Sequence, residues 1–142
     1  MKIKRVGSAS WKGGFKEGSG TVSTASTALA DYPYAVSSRF DGKPGTNPEE
    51  LIGAGHASCF TMALSLILSE AGFVADQIDT EAEVVIESIE QGFAITSIHL
   101  TLKASIPNVE ERQFQELALL AKLNCPVSKL LDTDISLTAT LV

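Results

Sequence analysis

The stretch TNPEELIGAGHASCFTMALSLILSEAG, Thr46 to Gly72, decides the fold. Asn47 before Pro48, with Glu50 three positions after Asn47, is a helix-start signal made of a cap, a first-turn proline and a capping box. Gly72 supplies the stop. Between them the sequence predicts a helix of roughly 24 residues, about 36 Å long at 1.5 Å per residue. After Leu51 it is apolar on nearly every side, which marks a buried helix. Its small residues Gly53, Ala54, Gly55, Ala57 and Ser58 would let another backbone come close. Cys59 lies in its middle.

Outward from that helix the pattern turns to strands. Residues 2–11 and 19–25 read as two, with Gly13, Gly14, Gly18 and Gly20 punctuating between them. Tyr34–Phe40 (YAVSSRF) alternates as a third. After the helix, Ile78, Thr80, Ala82, Val84 and Ile86 share one strand face, with Asp79, Glu81, Glu83 and Glu87 on the other. Gln91-Gly92 turns into a further strand over residues 93–106. Pro107 and Asn108 end that strand and cap a second helix, Glu111 closing the box. Its apolar face comes from Val109, Phe114, Leu117, Ala118 and Ala121. Cys125-Pro126 leads into a short helical turn, and Ile135, Leu137, Ala139 and Leu141 line one side of a final strand. The order β-β-β-α-β-β-α-β predicts an α+β fold, one domain over residues 1–142, with antiparallel sheets wrapped around the long central helix. One chain of this size cannot cover such a helix on all sides. A two-fold homodimer, its central helices paired at the small residues, resolves the mismatch.

Composition narrows the function. The 142 residues suffice for one core, and 44% hydrophobic content with mean hydropathy +0.17 is that of a globular chain. Eleven basic against 17 acidic residues, net −6, argue against nucleic acid and anionic membranes as partners. No uninterrupted apolar run approaches the roughly 18 residues of a membrane span. MKIKRVGSASW has no apolar core of a secretory signal, so a cytoplasmic protein is expected. In that compartment Cys59 and Cys125, 66 residues apart, are not expected to form a permanent bridge. They are either two packing thiols or a reactive pair.

A reactive Cys59 has a requirement. Burial alone raises a thiol pKa and leaves it inert, so a cation must stand beside it. The helix segment contains no lysine or arginine. Of the three arginines, Arg5 and Arg112 lie in charged neighbourhoods, which leaves Arg39, eight residues before Asn47; a structural or exposed Arg39 is equally open. An arginine in turn wants a carboxylate to hold its plane. Glu50 is the candidate, but it lies about half a turn out of phase with Cys59 and about 13.5 Å away along the axis, so the two can share a site only across a dimer. Capping competes for Glu49 and Glu50, both of which suit the helix dipole. Cys125, as N-cap of the short helix, would have the lowered pKa of a resolving thiol. His56, His99 and the cysteines lack metal-ligand spacing; no metal or cofactor is expected, and His56 is a core histidine or one that tunes the thiol. Phosphate-loop, triad and nucleotide motifs are absent.

GTVSTAS (Gly20–Ser26), SRFDGKPGTNPEELIGAGHASCFTMALSL (Ser38–Leu66), GFAIT (Gly92–Thr96) and CPVS (Cys125–Ser128) resemble the osmotically induced protein C (OsmC) branch of the OsmC/organic hydroperoxide resistance family. The resemblance spans essentially the whole chain. It implies a thiol-dependent peroxidase built as an intertwined homodimer with two sites at the subunit interface. It implies that Cys59 is the peroxidatic and Cys125 the resolving cysteine, with Arg39 and Glu50 as the supporting ion pair. The implied substrate is an organic hydroperoxide, and the implied reductant an external dithiol of the lipoyl type. Two other readings stand beside it: a redox sensor that is never recycled, and a dimer that binds a small apolar ligand.

Overall fold

Small and β-branched residues fill the first strands of the computed structural model, which describes residues 1–142. β1 (Gly7–Lys12) pairs antiparallel with β2 (Ser19–Thr24), and β2 with β3 (Tyr32–Tyr34). Every residue of β1 is exposed, so this strand has no covered face within one chain. The strand expected over Tyr34–Phe40 stops at Tyr34, and Val36–Phe40 instead coil into a short helix, α1. Ser38 is the reason. Its Oγ accepts the Ala35 N–H at 2.9 Å and donates to the Thr46 carbonyl at 2.8 Å, tying a helical turn to the following loop. Gly45 permits that closeness: its φ is +135°, and a Cβ there would lie 2.9 Å from the Ser38 Cβ. Residues Met1–Leu51 make one compact unit and Ile52–Val142 a second.

The long helix, α2, runs Pro48–Glu70, as its cap residues predict. Asn47 Oδ1 accepts the Glu50 N–H at 2.8 Å. It is not buried all round. Within the second unit His56, Phe60, Leu64, Ile67 and Leu68 turn inward, whereas Gly55, Ser58, Met62 and Leu66 are exposed, Met62 at 74% and Leu66 at 60%. By length and a mean hydropathy of 1.7 over its most apolar window α2 would suffice to cross a bilayer, although no apolar run is unbroken. Its inward face is instead part of this unit's own core. Gly53, one of the small residues expected to meet a second helix, is buried here, and a Cβ on it would lie 2.9 Å from the Ala82 carbonyl oxygen. It serves helix-on-sheet packing.

That sheet is built from β4 (Gln77–Ile89), β5 (Gly92–Ser105) and β6 (Asp134–Leu141), in the order β4-β5-β6. Alternation in β4 and β6 puts Ile78, Ala82, Ile135, Leu137, Ala139 and Leu141 against the core, as their spacing predicts. A register shift at Val85/Ile86 interrupts the pattern. β4 and β5 are antiparallel, but β5 and β6 are parallel, contrary to an all-antiparallel expectation. The connection between them carries α3 (Glu111–Asn124) and α4 (Pro126–Leu130), long enough to return the chain to the same end of the sheet. Asn108 does not cap α3. It sits at φ +62°, a left-handed turn that an N-cap's extended backbone excludes, and Glu110 takes the cap position. Phe114, Ala118 and Ala121 of α3 close the core with Leu100 and Leu102 of β5.

Candidate active site

Two constellations of the expected residues are present, one in each unit. In the second unit, Cys59 projects from the middle of α2, and Cys125 occupies the single residue between α3 and α4. Both are free thiols. Cys59 is half-buried and Cys125 fully so. Besides burial, the groups that act on the Cys59 thiol are the Cys125 thiol and the backbone N–H of Val127, in the first turn of α4. Burial pushes the Cys59 thiol above its ordinary pKa, the Val127 N–H pulls it down, and the adjoining Cys125 pushes it up again, for a net rise. No lysine or arginine of this unit offsets the burial. A thiol so placed has a second thiol as its neighbour but no cation from its own unit.

Cys125 does take the N-cap position of α4, with Pro126 behind it, as Cys-Pro predicts. The same residue ends α3, so its N–H bonds the Ala121 carbonyl at 2.9 Å while its own carbonyl accepts the Lys129 N–H at 3.0 Å. His56 is a core histidine. Its Nε2 lies 2.7 Å from Ser128 Oγ, and burial holds its pKa below the ordinary imidazole value.

The first unit holds Arg39. Its guanidinium forks onto a carboxylate, Nε lying 3.1 and 3.2 Å from the two oxygens and Nη2 2.6 Å from one of them. That carboxylate belongs to Glu49, which corrects the expected Arg39–Glu50 pair. Glu50 is exposed, its N–H bonded to Asn47. The two neighbours divide the tasks: the third residue of the helix lends its backbone to the cap, and the second lends its side chain to the arginine. The spacing from Asn47 to Glu50 already carried that signal, since a capping-box position leaves Glu49 as the free carboxylate. Arg39 also lies over the Phe40 ring, 5.2 Å from its centroid. Trp11, Phe15, Tyr34, Val36 and Phe40 surround it in an open cleft of about 320 Å³. Trp11 and Tyr34 stack obliquely there, 5.4 Å between centroids.

Val127 and Ser128 had no role from the sequence, and Glu49 only that of a capping or helix-dipole residue. The His/Cys/Asp/Glu side chains form no group of three able to hold a metal ion.

A family model described as OsmC-like protein matches residues 40–140. Peroxiredoxin OsmC of Escherichia coli (strain K12) is 49% identical over 137 residues, 96% of each chain. Organic hydroperoxide resistance protein OhrB of Bacillus subtilis (strain 168) is 30% identical over 108 residues, 75% of this chain and 77% of that one. A crystal structure of OhrB of Bacillus subtilis covers 96% of this chain and 98% of its own, with a TM-score of 0.68 at 27% identity. With the fold, the length of the match and the degree of identity in agreement, the chain belongs to the OsmC family.

Proposed function

We propose that the protein is a cysteine-based peroxidase that reduces organic hydroperoxides to alcohols. One observation carries the reading: a half-exposed thiol on a core helix is under the influence of a second, buried thiol and of a backbone N–H. Relatives named peroxiredoxin and organic hydroperoxide resistance protein support it.

The Cys59 thiolate attacks the distal oxygen of ROOH. The O–O bond breaks, an S–O bond forms, and the alkoxide leaves with a proton as ROH, so the sulfur is oxidised to sulfenic acid. Cys125 then attacks that sulfur; its S–H proton and the sulfenic hydroxyl depart as water, leaving a Cys59–Cys125 disulfide. An external dithiol resets both thiols by exchange and is itself oxidised to a disulfide. Within this reading Arg39, its plane fixed by Glu49, stabilises the thiolate that burial disfavours and polarises the peroxide. The aromatic cleft around Arg39 suits an organic tail better than hydrogen peroxide. A second copy of the chain covers the exposed stripe Gly55, Ser58, Met62 and Leu66 of α2 and the bare faces of β1, making a homodimer.

The test is free-thiol titration with one equivalent of cumene hydroperoxide. Wild-type protein should lose both thiols quickly and regain them with a dithiol over many cycles. Cys59→Ser should consume no peroxide, and Cys125→Ser about one equivalent per site before stalling. Wild-type consumption by Cys59→Ser would refute the mechanism. Thiol loss in a single cycle only would make the protein a sensor, and no loss would make it a binder of apolar ligands.

A further inference from the structure

His56 is fully buried, and the reaction outlined above gives it no task. It precedes Cys59 by three residues on α2, so both project toward the same side of the helix. Its Nε2 lies 2.7 Å from the Oγ of Ser128, 72 residues further along the chain. Its Nδ1 is buried without a hydrogen-bond partner. Whichever of the two groups donates, the bond joins the ring to the serine hydroxyl. Burial keeps the ring neutral. His56 is therefore not the cation that Cys59 lacks. It is a strut.

What the strut holds is α4. This helix has five residues, none of them fully buried, so apolar packing alone grips it weakly. Yet it carries the two groups that act on the Cys59 thiol: the Val127 N–H, and the Cys125 thiol at its cap. Ser128 directly follows Val127. We infer that His56 is a positioning residue: through Ser128 it pins α4 to α2 and so fixes where the Val127 N–H and the Cys125 sulfur stand relative to Cys59. The use of that arrangement in turnover rests on the peroxidase reading, but the arrangement itself is measurable without it.

The measurement is the thiol–disulfide equilibrium of the full chain with dithiothreitol, in which the Cys59–Cys125 bond is exchanged for two thiols and the cyclic disulfide of the reagent. It reads the effective concentration of one cysteine toward the other. Ser128→Ala should lower that effective concentration about tenfold, the worth of one ordinary hydrogen bond. His56→Leu should do the same, and the double variant should be no worse than either single one, because all three lose the same bond. Ser128→Thr keeps a hydroxyl and should stay within about twofold of wild type. The alkylation rate of Cys59 should shift to higher pH in Ser128→Ala, as the thiolate loses a reliably placed N–H. A merely structural role would lower the urea midpoint and leave both readouts unmoved. If Ser128→Ala, folded, matches wild type in the equilibrium, or if the two single effects multiply, the inference is overturned. Should His56→Leu fail to fold, Ser128→Ala at its half-exposed position decides alone. Failure of the wild type to consume cumene hydroperoxide sinks the peroxidase reading instead, and the dithiothreitol equilibrium still decides the role of His56.

Discussion

Replacing Glu49 by Gln takes the charge from the carboxylate that holds Arg39 while preserving its shape. The pair has three contacts between 2.6 and 3.2 Å. The Glu49 side chain is 9% exposed and that of Arg39 32%. Breaking a fully buried pair costs about 3–5 kcal/mol, whereas an exposed pair is worth less than about 1 kcal/mol. With one partner buried and the other a third open to solvent, about 2 kcal/mol is the reasonable magnitude after screening. If all of it is lost from the placement of the guanidinium in the transition state, the first reaction with peroxide slows about 30-fold, at about 1.4 kcal/mol per factor of ten. Glu50→Gln should stay within about twofold of wild type, because that side chain is exposed and only its backbone N–H is engaged. Arg39→Lys should fall with Glu49→Gln, since a point charge cannot match two oxygens at once. The assay is stopped-flow loss of the Cys59 thiol with cumene hydroperoxide, with urea midpoints measured on the same preparations to separate orientation from unfolding. A slow Glu50→Gln beside an unaffected Glu49→Gln would refute the assignment of the carboxylate.

Three further outcomes are expected. Burial depresses the folded-state pKa of His56 below its unfolded value near 6.5, so the unfolded chain takes up that proton first as pH falls. Stability should therefore decline below about pH 6.5 down to the folded pKa, and His56→Gln should show a shallower decline in urea midpoints; an unchanged slope would count against it. Met62→Lys puts a charge on the exposed stripe of α2 and should convert a dimer into a 15.0 kDa monomer by size exclusion with light scattering. A wild type already at that mass rejects dimerisation. Because Cys125 is 0% exposed and Cys59 half-buried, an external monothiol should open the disulfide at Cys59, and peptide mapping should find the mixed disulfide there. Capture at Cys125 would reverse that order of attack.

The chain announces its long elements and hides its short ones. Asn47 and Pro48 fix the start of α2, and alternation fixes the inward faces of β4 and β6, because both signals repeat over several turns or pairs. Val36–Phe40 spans five residues, too few for a period of 2 to be told from one of 3.6; what decides it is the Ser38 hydroxyl reaching the Thr46 carbonyl. The direction of β6 depends on where α3 and α4 return the chain, which no local pattern encodes. The same division runs through the candidate site. Cys59, Cys125 and Arg39 stand out as reactive or charged residues in apolar surroundings. The choice of Glu49 over its neighbour depends on which of two adjacent carboxylates the cap leaves free. His56 and Ser128 meet across 72 residues, and only folding brings them together.

The placement of Cys125 has a kinetic consequence. Its amide closes the last turn of one helix and its carbonyl opens the first turn of the next, so its Cα is clamped from both directions. Joining the two sulfurs cannot then await a segment that melts or swings across on the microsecond-to-millisecond scale. It needs only a turn about the Cα–Cβ and Cβ–S bonds of the two cysteines, with the backbone around Cys125 staying in place. Oxidised and reduced protein should accordingly show the same amide hydrogen-exchange protection from Ala121 to Lys129, and the sulfenic acid should be short-lived because its captor never has to travel.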